Sequence, residues 1–392
     1  MYVRFLLLLV IVLGLHLFLA FSVTRFFGVR EKGFRRLVYR VFVYLFLSYA
    51  ILNFAVRFAK NAVTSFLYML SAFWLGFALY FLAAVVVCWI AWAIIYFARL
   101  KWPVRRVAFV LLLAAAAYSG YGVYNATTPV VNELTVPIKG LPKAWANKTI
   151  VQLSDVHLGA IYSPGDMLKF AKIVNGLKPD IIAITGDLFD GVGRDGLDEY
   201  VGPLKELKAN KGVYFVNGNH EMFFGKAEVA RIISKTGIRE LDDEVVMLDG
   251  LQIIGVDFPD FGAVRDVKKI ITGSKSYVKG APTVLLYHTP TTFVQRSGSV
   301  AEQQNRTYWN PVTDFSDAID IGVNLQLSGH THKGQLVPFN LLTERIYGGY
   351  DYGLHRLGDF YIYTSCGLGT FGPIMRTSGV SEIVRIRLVE SK

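Results

Sequence analysis

The chain has 392 residues, 53% of them hydrophobic, and a formal net charge of +11. Residues 1–106 carry 13 Lys and Arg but only one acidic residue, Glu31, whereas the remaining residues carry 28 basic and 29 acidic side chains. The chain therefore lacks the basic surface expected of a nucleic-acid-binding protein, and we expect no nucleic acid as a partner. The two cysteines, Cys88 and Cys366, fall in different halves, which argues against a disulfide between them.

Four apolar stretches occupy the N-terminal quarter, near 5–24, 41–56, 67–98 and 107–124. A helix that crosses a bilayer needs about 20 apolar residues, so this region predicts an all-α transmembrane domain of about four helices over 1–125. A signal peptide is the alternative for the first stretch, but no small-residue cleavage pattern follows Ala20. The stretches contain His16 and Asn53 but no acid, which favours an anchor over a transporter.

The charges of the connecting loops predict an orientation. The loop at 25–40 carries six basic residues and the loop at 99–106 carries four, whereas the loop between the second and third stretches has only Arg57 and Lys60. Basic loops stay on the cytoplasmic side. Both strongly basic loops satisfy this rule if the third stretch is a single helix and the N-terminus and everything after the fourth helix lie outside the cytoplasm.

Beyond a connector at 126–147, short apolar runs alternate with helical segments over 148–392. This alternation predicts an α/β fold whose sheet is covered on both faces. The predicted helices cover 164–177, 201–210 and 226–237. The predicted strands cover 148–155, 180–187, 212–220, 251–257, 283–288, 323–330, 360–365 and 382–389.

Five of the predicted strands end in polar residues that can bind metal, namely Asp155 and His157, Asp187, Asn219 and His220, His288, and His330 and His332. Ligands bind at the carboxyl ends of strands in open α/β sheets. Each motif alone could be a cap, a turn or a packed histidine, but five in series favour a ligand cluster. Mixed nitrogen and oxygen donors suit Mn, Fe, Zn or Ni, and their number suits two ions bridged by a carboxylate. Gly186, Gly218 and Gly329 are expected to permit sharp turns there.

The motifs Asp-x-His at 155–157, Gly-Asp at 186–187, Gly-Asn-His-Glu at 218–221, His288 and Gly-His-Thr-His at 329–332 resemble those of the calcineurin-like metallophosphoesterases. The resemblance covers about 148–390 and implies a four-layer αββα sandwich with two divalent metal ions. It implies that Asp155, His157 and His332 bind one ion, that Asn219, His288 and His330 bind the other, and that Asp187 bridges them. His220 would contact phosphate and protonate the leaving oxygen, while Asp190 and Glu221 would orient neighbouring groups.

The segment at 352–376 is similar to a branch of small bacterial enzymes with an N-terminal signal or membrane anchor, among them phosphodiesterases and UDP-2,3-diacylglucosamine pyrophosphatases. Two positions depart from this branch, because Lys333 stands where Gly is usual and Cys366 where Arg is common. Lys333 is expected either to contact substrate phosphate or to be solvated, and Arg376 to lie near the site or the substrate. Cys366 is expected to be a small buried residue.

Together these features predict a phosphoesterase of a bacterial inner or cell membrane that hydrolyses phosphate mono- or diesters through metal-activated water. The short connector and the predicted orientation favour a lipid or envelope substrate outside the cytoplasm. Aromatic segments at 223–224, 258–262 and 306–311 are expected either to line the substrate entry or to pack internally. Two alternatives stay open, a UDP-2,3-diacylglucosamine-type pyrophosphatase with a cytoplasmic active site and a catalytically silent scaffold or receptor. All seven metal positions are filled, which speaks against a silent domain.

Overall fold

The computed structural model describes residues 2–100, 103–191, 196–261, 265–293 and 299–391. The chain divides into two compact units, each described by itself below. The first comprises Met1–Tyr124 with Gly372–Met375, and the second comprises Asn125–Phe371 with Arg376–Lys392.

The first unit is helical. Within the described residues, four helices are long and apolar enough to cross a membrane. They are α1 (Tyr2–Phe26), α2 (Lys32–Phe58), α3 (Ala62–Phe97) and α4 (Val104–Thr127). The long third stretch is one continuous helix, as predicted, and its start is defined by Asn61, whose side chain accepts hydrogen bonds from the backbone N–H groups of Val63 and Thr64.

The polar residues of these helices are packed side chains. His16 is buried, its Nδ1 lies 2.8 Å from the Val12 carbonyl oxygen, and its Nε2 accepts a hydrogen bond from the indole of Trp74. Asn53 donates to the hydroxyl of Tyr68 at 3.4 Å. Both polar groups are therefore satisfied inside the helical unit, which agrees with a structural role for them.

The second unit contains two six-stranded mixed sheets. In the first sheet the strand order is β1-β12-β2-β3-β4-β5, in which β2 to β5 run parallel and β12 pairs parallel to β1 but antiparallel to β2. Its strands are β1 (Val130–Ile138), β2 (Thr149–Leu153), β3 (Ile181–Thr185), β4 (Val213–Val216), β5 (Arg239–Glu240) and β12 (Glu382–Glu390).

In the second sheet the order is β10-β11-β9-β8-β7-β6, with antiparallel strands at both edges. Its strands are β6 (Glu244–Leu248), β7 (Leu251–Val256), β8 (Thr283–Tyr287), β9 (Leu325–Ser328), β10 (Gly353–Leu357) and β11 (Phe360–Thr364). The connecting helices are α5 (Pro164–Gly176), α6 (Val201–Lys205), α7 (Glu221–Phe224), α8 (Lys226–Ile233), α9 (Val267–Gly273), α10 (Val300–Gln304), α11 (Ser316–Asp320) and α12 (Phe339–Ile346).

Three hydrophobic clusters define the layers. One cluster joins side chains of both sheets, such as Ile150 and Ala183 with Ile253 and Leu286, and therefore fills the space between them. A second cluster packs α5 and α8 on the outer face of the first sheet, and a third packs α9 and α11 on the outer face of the second. This arrangement confirms the predicted four-layer αββα sandwich.

The structure contains elements that the sequence prediction lacks, namely strands β5, β6 and β10 and helices α7 and α9 to α12, and it differs at three further places. The connector at 126–147 contains β1, an edge strand whose alternating burial differs from the continuous apolar runs of the inner strands. The helix predicted over 201–210 ends at Lys205, because the Asn175 side chain donates to the Glu206 carbonyl and accepts from the Lys208 N–H. The helix predicted to reach Gly237 ends at Ile233.

Candidate metal centre

The polar strand ends of both sheets meet at one place. Strands β2, β3 and β4 of the first sheet lead into Asp155 and His157, Asp187, and Asn219, while β8 and β9 of the second lead into His288 and into His330 and His332. The buried side chain of Gln152 joins the two sheets just before this edge, because its Nε2 donates to the Ser328 carbonyl at 2.8 Å and to the Thr185 hydroxyl at 2.9 Å.

The first group of donors consists of Asp155, His157 and His332, all of them buried. The Nε2 atoms of His157 and His332 are 3.0 Å apart, and His332 Nε2 is 3.3 Å from Asp155 Oδ1. Three ligand atoms of the kind that bind first-row transition metals therefore converge on one point.

The second group lies beside the first and consists of Asp187, His288 and His330. His288 Nε2 is 3.3 Å from Asp187 Oδ2. The Asn219 side-chain oxygen joins this group, since it lies 2.8 Å from His330 Nδ1 and 3.1 Å from His288 Nε2. The two histidines that are separated by Thr331 therefore reach different groups.

A third set of donors overlaps both groups and contains His157, Asp187 and His220. His220 Nδ1 lies 2.8 Å from the carbonyl oxygen of Asp190, to which it can donate, and Nε2 lies 4.0 Å from Asp187 Oδ2. The Asp190 carboxylate is 3.5 Å from His157 Nδ1. Asp190 therefore contacts two of the histidines, through its backbone and its side chain.

The backbone at this edge is unusual. Asp155, His157, Asp187, His330 and His332 all have φ between 50° and 73°, in the left-handed region that residues other than glycine rarely adopt. Hydrogen bonds between the loops stabilise these conformations, since the N–H of Asp155 donates to the Gly186 carbonyl and that of His157 to the Asp187 carbonyl, both at 3.0 Å. Strained conformations held in this way are common at functional sites.

Two of the three predicted turn glycines have a different role from the one expected. Only Gly186 has a positive φ, whereas Gly218 and Gly329 do not. A Cβ atom at Gly329 would collide with Ser154 Oγ and Asp155 Oδ2, and one at Gly218 would collide with Asp187 Oδ1. These two glycines therefore provide space for the carboxylates rather than freedom for a turn.

The charges of the donors depend strongly on one another. Burial favours the neutral form of Asp155, but the nearby His332 outweighs it, so the pKa of Asp155 lies below its usual range. Burial also opposes a charge on His288, yet the Asp187 carboxylate raises the pKa of His288 to about 9. Burial and His288 lower the pKa of His330 to about 3, and burial lowers the pKa of His332 to about 4. Asp155 and Asp187 are therefore ionised and His330 and His332 neutral, the protonation states that metal ligands require, whereas His288 would have to lose a proton when a metal ion binds.

Glu221 is buried directly behind the donors. Its carboxylate accepts hydrogen bonds from the backbone N–H groups of Asp187 at 2.9 Å, Phe189 at 3.0 Å and Gly218 at 2.7 Å. Burial and the charge of Asp187 raise the pKa of Glu221 to about 7. The side chain therefore joins the loop after β3 to the loop after β4.

Arg376 is fully buried and contacts His332. It donates to the carbonyl oxygens of His332 and Gly369, and one of its terminal nitrogens lies 3.1 Å from His332 Nδ1.

The Lys333 ammonium group, in contrast, lies 4.2 Å from the centre of the Tyr352 ring. Cys366 is buried, as predicted, and burial raises the pKa of its thiol to about 12.

The aromatic segments contain both exposed and packed side chains. Phe223 is 64% exposed and lies against the His220 ring, whereas Phe224 packs on the buried Phe189. Phe258 and Tyr308 lie against the His330 ring at centroid distances of 6.4 Å and 5.2 Å. Gly262, the last residue of the 258–262 segment, lies outside the described residues.

The donor set fits two divalent ions. Ring nitrogens and carboxylate oxygens from different loops lie within 4.8 Å of one another in each group, and Asp187 belongs to a group with His288 and to another with His157. Two neutral imidazole nitrogens that face each other form a hydrogen bond only if one of them carries its ring's proton, whereas the lone pairs of both can bind a cation. The fold and this cluster together define an αββα protein with a candidate two-metal site at the shared edge of its sheets.

Sequence comparison agrees with this class. The family model of the calcineurin-like phosphoesterases matches residues 148–334. An uncharacterized metallophosphoesterase of Aquifex aeolicus is 30% identical over 264 residues, which cover 66% of this chain and 91% of that protein. The chain belongs to the calcineurin-like metallophosphoesterase family.

Longer relatives also match. A transmembrane protein with metallophosphoesterase domain from Bos taurus is 30% identical over 71% of this chain and 61% of its own length, and one from Danio rerio is 29% identical over 73% and 63%. The chain thus spans less than two thirds of these relatives. Among solved structures, a dimetal phosphatase from Danio rerio has a TM-score of 0.38 and 13% identity, covering 62% of this chain and 94% of that one.

Proposed function

We propose that the protein is a membrane-anchored phosphoesterase that hydrolyses phosphate mono- or diesters of a lipid or envelope molecule outside the cytoplasm. Asp155, His157 and His332 would hold one ion, Asn219, His288 and His330 the other, and Asp187 both. When bound, such a pair of ions acts as a Lewis acid toward phosphate and lowers the pKa of water.

His220 is the residue that we assign to proton transfer. The hydrogen bond from its Nδ1 to the Asp190 carbonyl leaves Nε2 facing the donors. The Asp187 and Asp190 carboxylates outweigh the effect of burial and raise the pKa of His220. A protonated Nε2 at this position could contact a phosphate oxygen and donate its proton to the leaving alkoxide.

The side chains around His220 support the proposal that the substrate has an apolar part. Its ring lies between Phe223 and Phe371, at centroid distances of 5.3 Å and 5.1 Å, and both phenyl rings are more than half exposed. Exposed aromatic rings beside a phosphate-binding centre are suited to the apolar part of an amphipathic ester.

Hydrolysis of bis-p-nitrophenyl phosphate by the full-length protein tests the activity. The metal-free protein should be inactive, and Mn, Fe, Zn or Ni should restore turnover. His220→Ala should lose turnover while it keeps its metal content, because His220 is assigned to proton transfer rather than to metal binding. A protein that binds two ions but turns over neither this diester nor p-nitrophenyl phosphate would instead favour the silent scaffold.

The orientation is tested separately. The basic loops at 25–40 and 99–106 support an orientation with the second unit outside the cytoplasm, according to the positive-inside rule. An impermeant maleimide applied to intact cells should modify an introduced cysteine at an exposed position of the second unit, such as Ile270→Cys. Modification only after cell lysis would place the site in the cytoplasm and favour a nucleotide-linked substrate such as UDP-2,3-diacylglucosamine.

A further inference from the structure

The short helix α12 follows the Gly-His-Thr-His motif and has its polarity reversed relative to an ordinary surface helix. Phe339, Leu341 and Leu342 are 47%, 64% and 50% exposed, and α12 has no buried residue. Its polar Thr343 faces inward, where the hydroxyl donates to the Asp351 carboxylate at 3.2 Å and Asp351 is 5% exposed. Helices on the surface of soluble proteins turn their apolar side inward, so α12 has the pattern of a helix that faces an apolar medium.

Hydrogen bonds through Asp351 and Thr331 link α12 to the candidate metal centre. Asp351 accepts a hydrogen bond at its backbone carbonyl from the hydroxyl of Thr331, at 2.6 Å, and Thr331 lies between His330 and His332. Thr343, Asp351 and Thr331 therefore form a short polar chain from the inner side of α12 to the two histidine ligands.

Phe371 extends the same apolar surface to the other side of the centre. Its backbone is fixed by Gln335, whose side chain accepts from the Phe371 N–H at 2.9 Å and donates to its carbonyl at 3.0 Å. Its ring is 54% exposed and lies 5.1 Å from the His220 ring. We call Phe339, Leu341, Leu342 and Phe371 the apolar rim.

We propose that the apolar rim inserts into the surface of the bilayer that the chain's own helices span, and that it presents lipid phosphates to the metal centre. This inference rests on the proposed function and specifies how its substrate is reached. Only residues 128 and 129 separate the end of α4 from the start of β1, so the connection that follows the last membrane-capable helix is short. Glu344 and Arg345, both exposed at the end of α12, supply the charged side chains that accompany apolar residues in interfacial helices.

Insertion is tested with an environment-sensitive fluorophore attached to an introduced cysteine in the full-length protein, reconstituted in phosphatidylglycerol and phosphatidylcholine vesicles. The rim variant is Leu341→Cys, and the control is Ile270→Cys, an exposed aliphatic residue (45%) of the short helix α9. The unsubstituted protein, whose two cysteines are both buried, supplies the background.

The label at 341 should be blue-shifted and quenched by lipids that carry a doxyl group near the headgroup, whereas the label at 270 should be quenched by aqueous iodide. A label at 341 that iodide quenches as well as the one at 270 would overturn the proposal. A label at 341 that neither quencher reaches would also overturn it, because the rim would then be covered by protein.

Turnover provides the second measurement. Two diesters with the same leaving group are compared, soluble bis-p-nitrophenyl phosphate and phosphatidyl-p-nitrophenol in vesicles. The double variant Leu341→Gln/Leu342→Gln should keep its rate on the soluble diester and lose about tenfold on the lipid, which corresponds to about 1.4 kcal/mol of lost apolar burial. Ile270→Gln should change neither rate. If the double variant and the unsubstituted protein hydrolyse the lipid at equal rates, the proposed role of the apolar rim is wrong, but the proposed hydrolase activity stands. If the unsubstituted protein hydrolyses neither diester with any of the metals, the proposed hydrolase activity is wrong, and the fluorescence measurement alone decides whether the rim inserts.

Discussion

The Nε2 atoms of His157 and His332 lie 3.0 Å apart in the interior of the second unit, with Asp155 Oδ1 3.3 Å from the second of them. Without metal this proximity is a hydrogen bond only if one of the two nitrogens is protonated, whereas a cation would be bound by the lone pairs of both rings together with the Asp155 carboxylate. We therefore expect bound metal to stabilise the fold.

Removal of metal should therefore lower the melting temperature of the protein. A metal ion present at about a hundred times its Kd adds about 2.7 kcal/mol to the free energy of unfolding.

His332→Ala should reduce the bound metal from about two ions to about one per chain, because separate ligands hold the two ions of a two-metal site. Elemental analysis and thermal melts with and without a chelator check both expectations, and a melt that is indifferent to chelation would contradict them.

Glu221→Gln should destabilise the second unit by about 1–3 kcal/mol, the usual cost of leaving buried donors unsatisfied. The Glu221 carboxylate accepts hydrogen bonds from three backbone N–H groups. The amide of glutamine has only one oxygen acceptor, and its own NH2 group would face at least one of these backbone donors. Glu206→Gln, at an exposed side chain, is the matched control and should leave the denaturation midpoint unchanged. Equal midpoints of the two variants would show that the three hydrogen bonds contribute nothing.

Gly329→Ala should destabilise the protein by about 1–3 kcal/mol and lower its metal content, because the new methyl group would displace Ser154 and Asp155. Gly273→Ala is the control, since a Cβ atom there meets no atom within 4 Å. This control should be neutral or stabilising by up to about 1 kcal/mol. Urea denaturation measures both, and the prediction is wrong if Gly329→Ala unfolds at the same concentration as Gly273→Ala.

Arg376→Met should weaken metal binding in the group that contains His332. The guanidinium donates to two carbonyl oxygens and contacts the ring nitrogen of His332 that faces away from His157. Arg376→Lys keeps the charge but not the planar fork, and should restore binding only in part. Metal titrations of the three proteins measure this effect without reference to turnover, and unchanged affinity in the Met variant would exclude a positioning role.

Cys366 should resist alkylation in the folded protein. Burial raises the pKa of its thiol to about 12, so at about pH 8 the thiol stays protonated, and the thiolate is the nucleophile. Mass spectrometry after iodoacetamide treatment should find Cys366 modified only when the protein is unfolded in denaturant. Rapid modification under native conditions would show that the segment around Cys366 opens.

The donors were predictable because each follows a continuous apolar run, and the carboxyl ends of parallel strands share an edge. The pairing of His330 with His288 and of His332 with His157 was not readable from periodicity, because it depends on the two sheets meeting face to face; it came only from the family resemblance. The strand β1 was missed because an edge strand alternates in burial, and Val130–Ile138 contains Asn132 and Glu133.

The roles of other residues needed three-dimensional contacts. Phe223 and Phe224 are adjacent residues of the same type, yet Phe223 is exposed and Phe224 is partly buried against the core. Arg376 lies more than 40 residues from the histidine that it contacts, and no local spacing joins them. The reversed polarity of α12 was hidden as well, because the inward direction of Thr343 is defined by Asp351.

The position of β12 between β1 and β2 has a consequence for biogenesis. During translation α1–α4 leave the ribosome first. β1 and β2 follow, but β12, which pairs with both of them, is synthesised more than half a chain later. At ~5–20 residues per second this interval lasts on the order of ten seconds or more. Through that time two strands have unpaired edges and Arg376 has not yet reached His332. Completion of the candidate metal centre is therefore expected after the helices have been synthesised, and the nascent second unit is exposed to chaperones and proteases until β12 is in place.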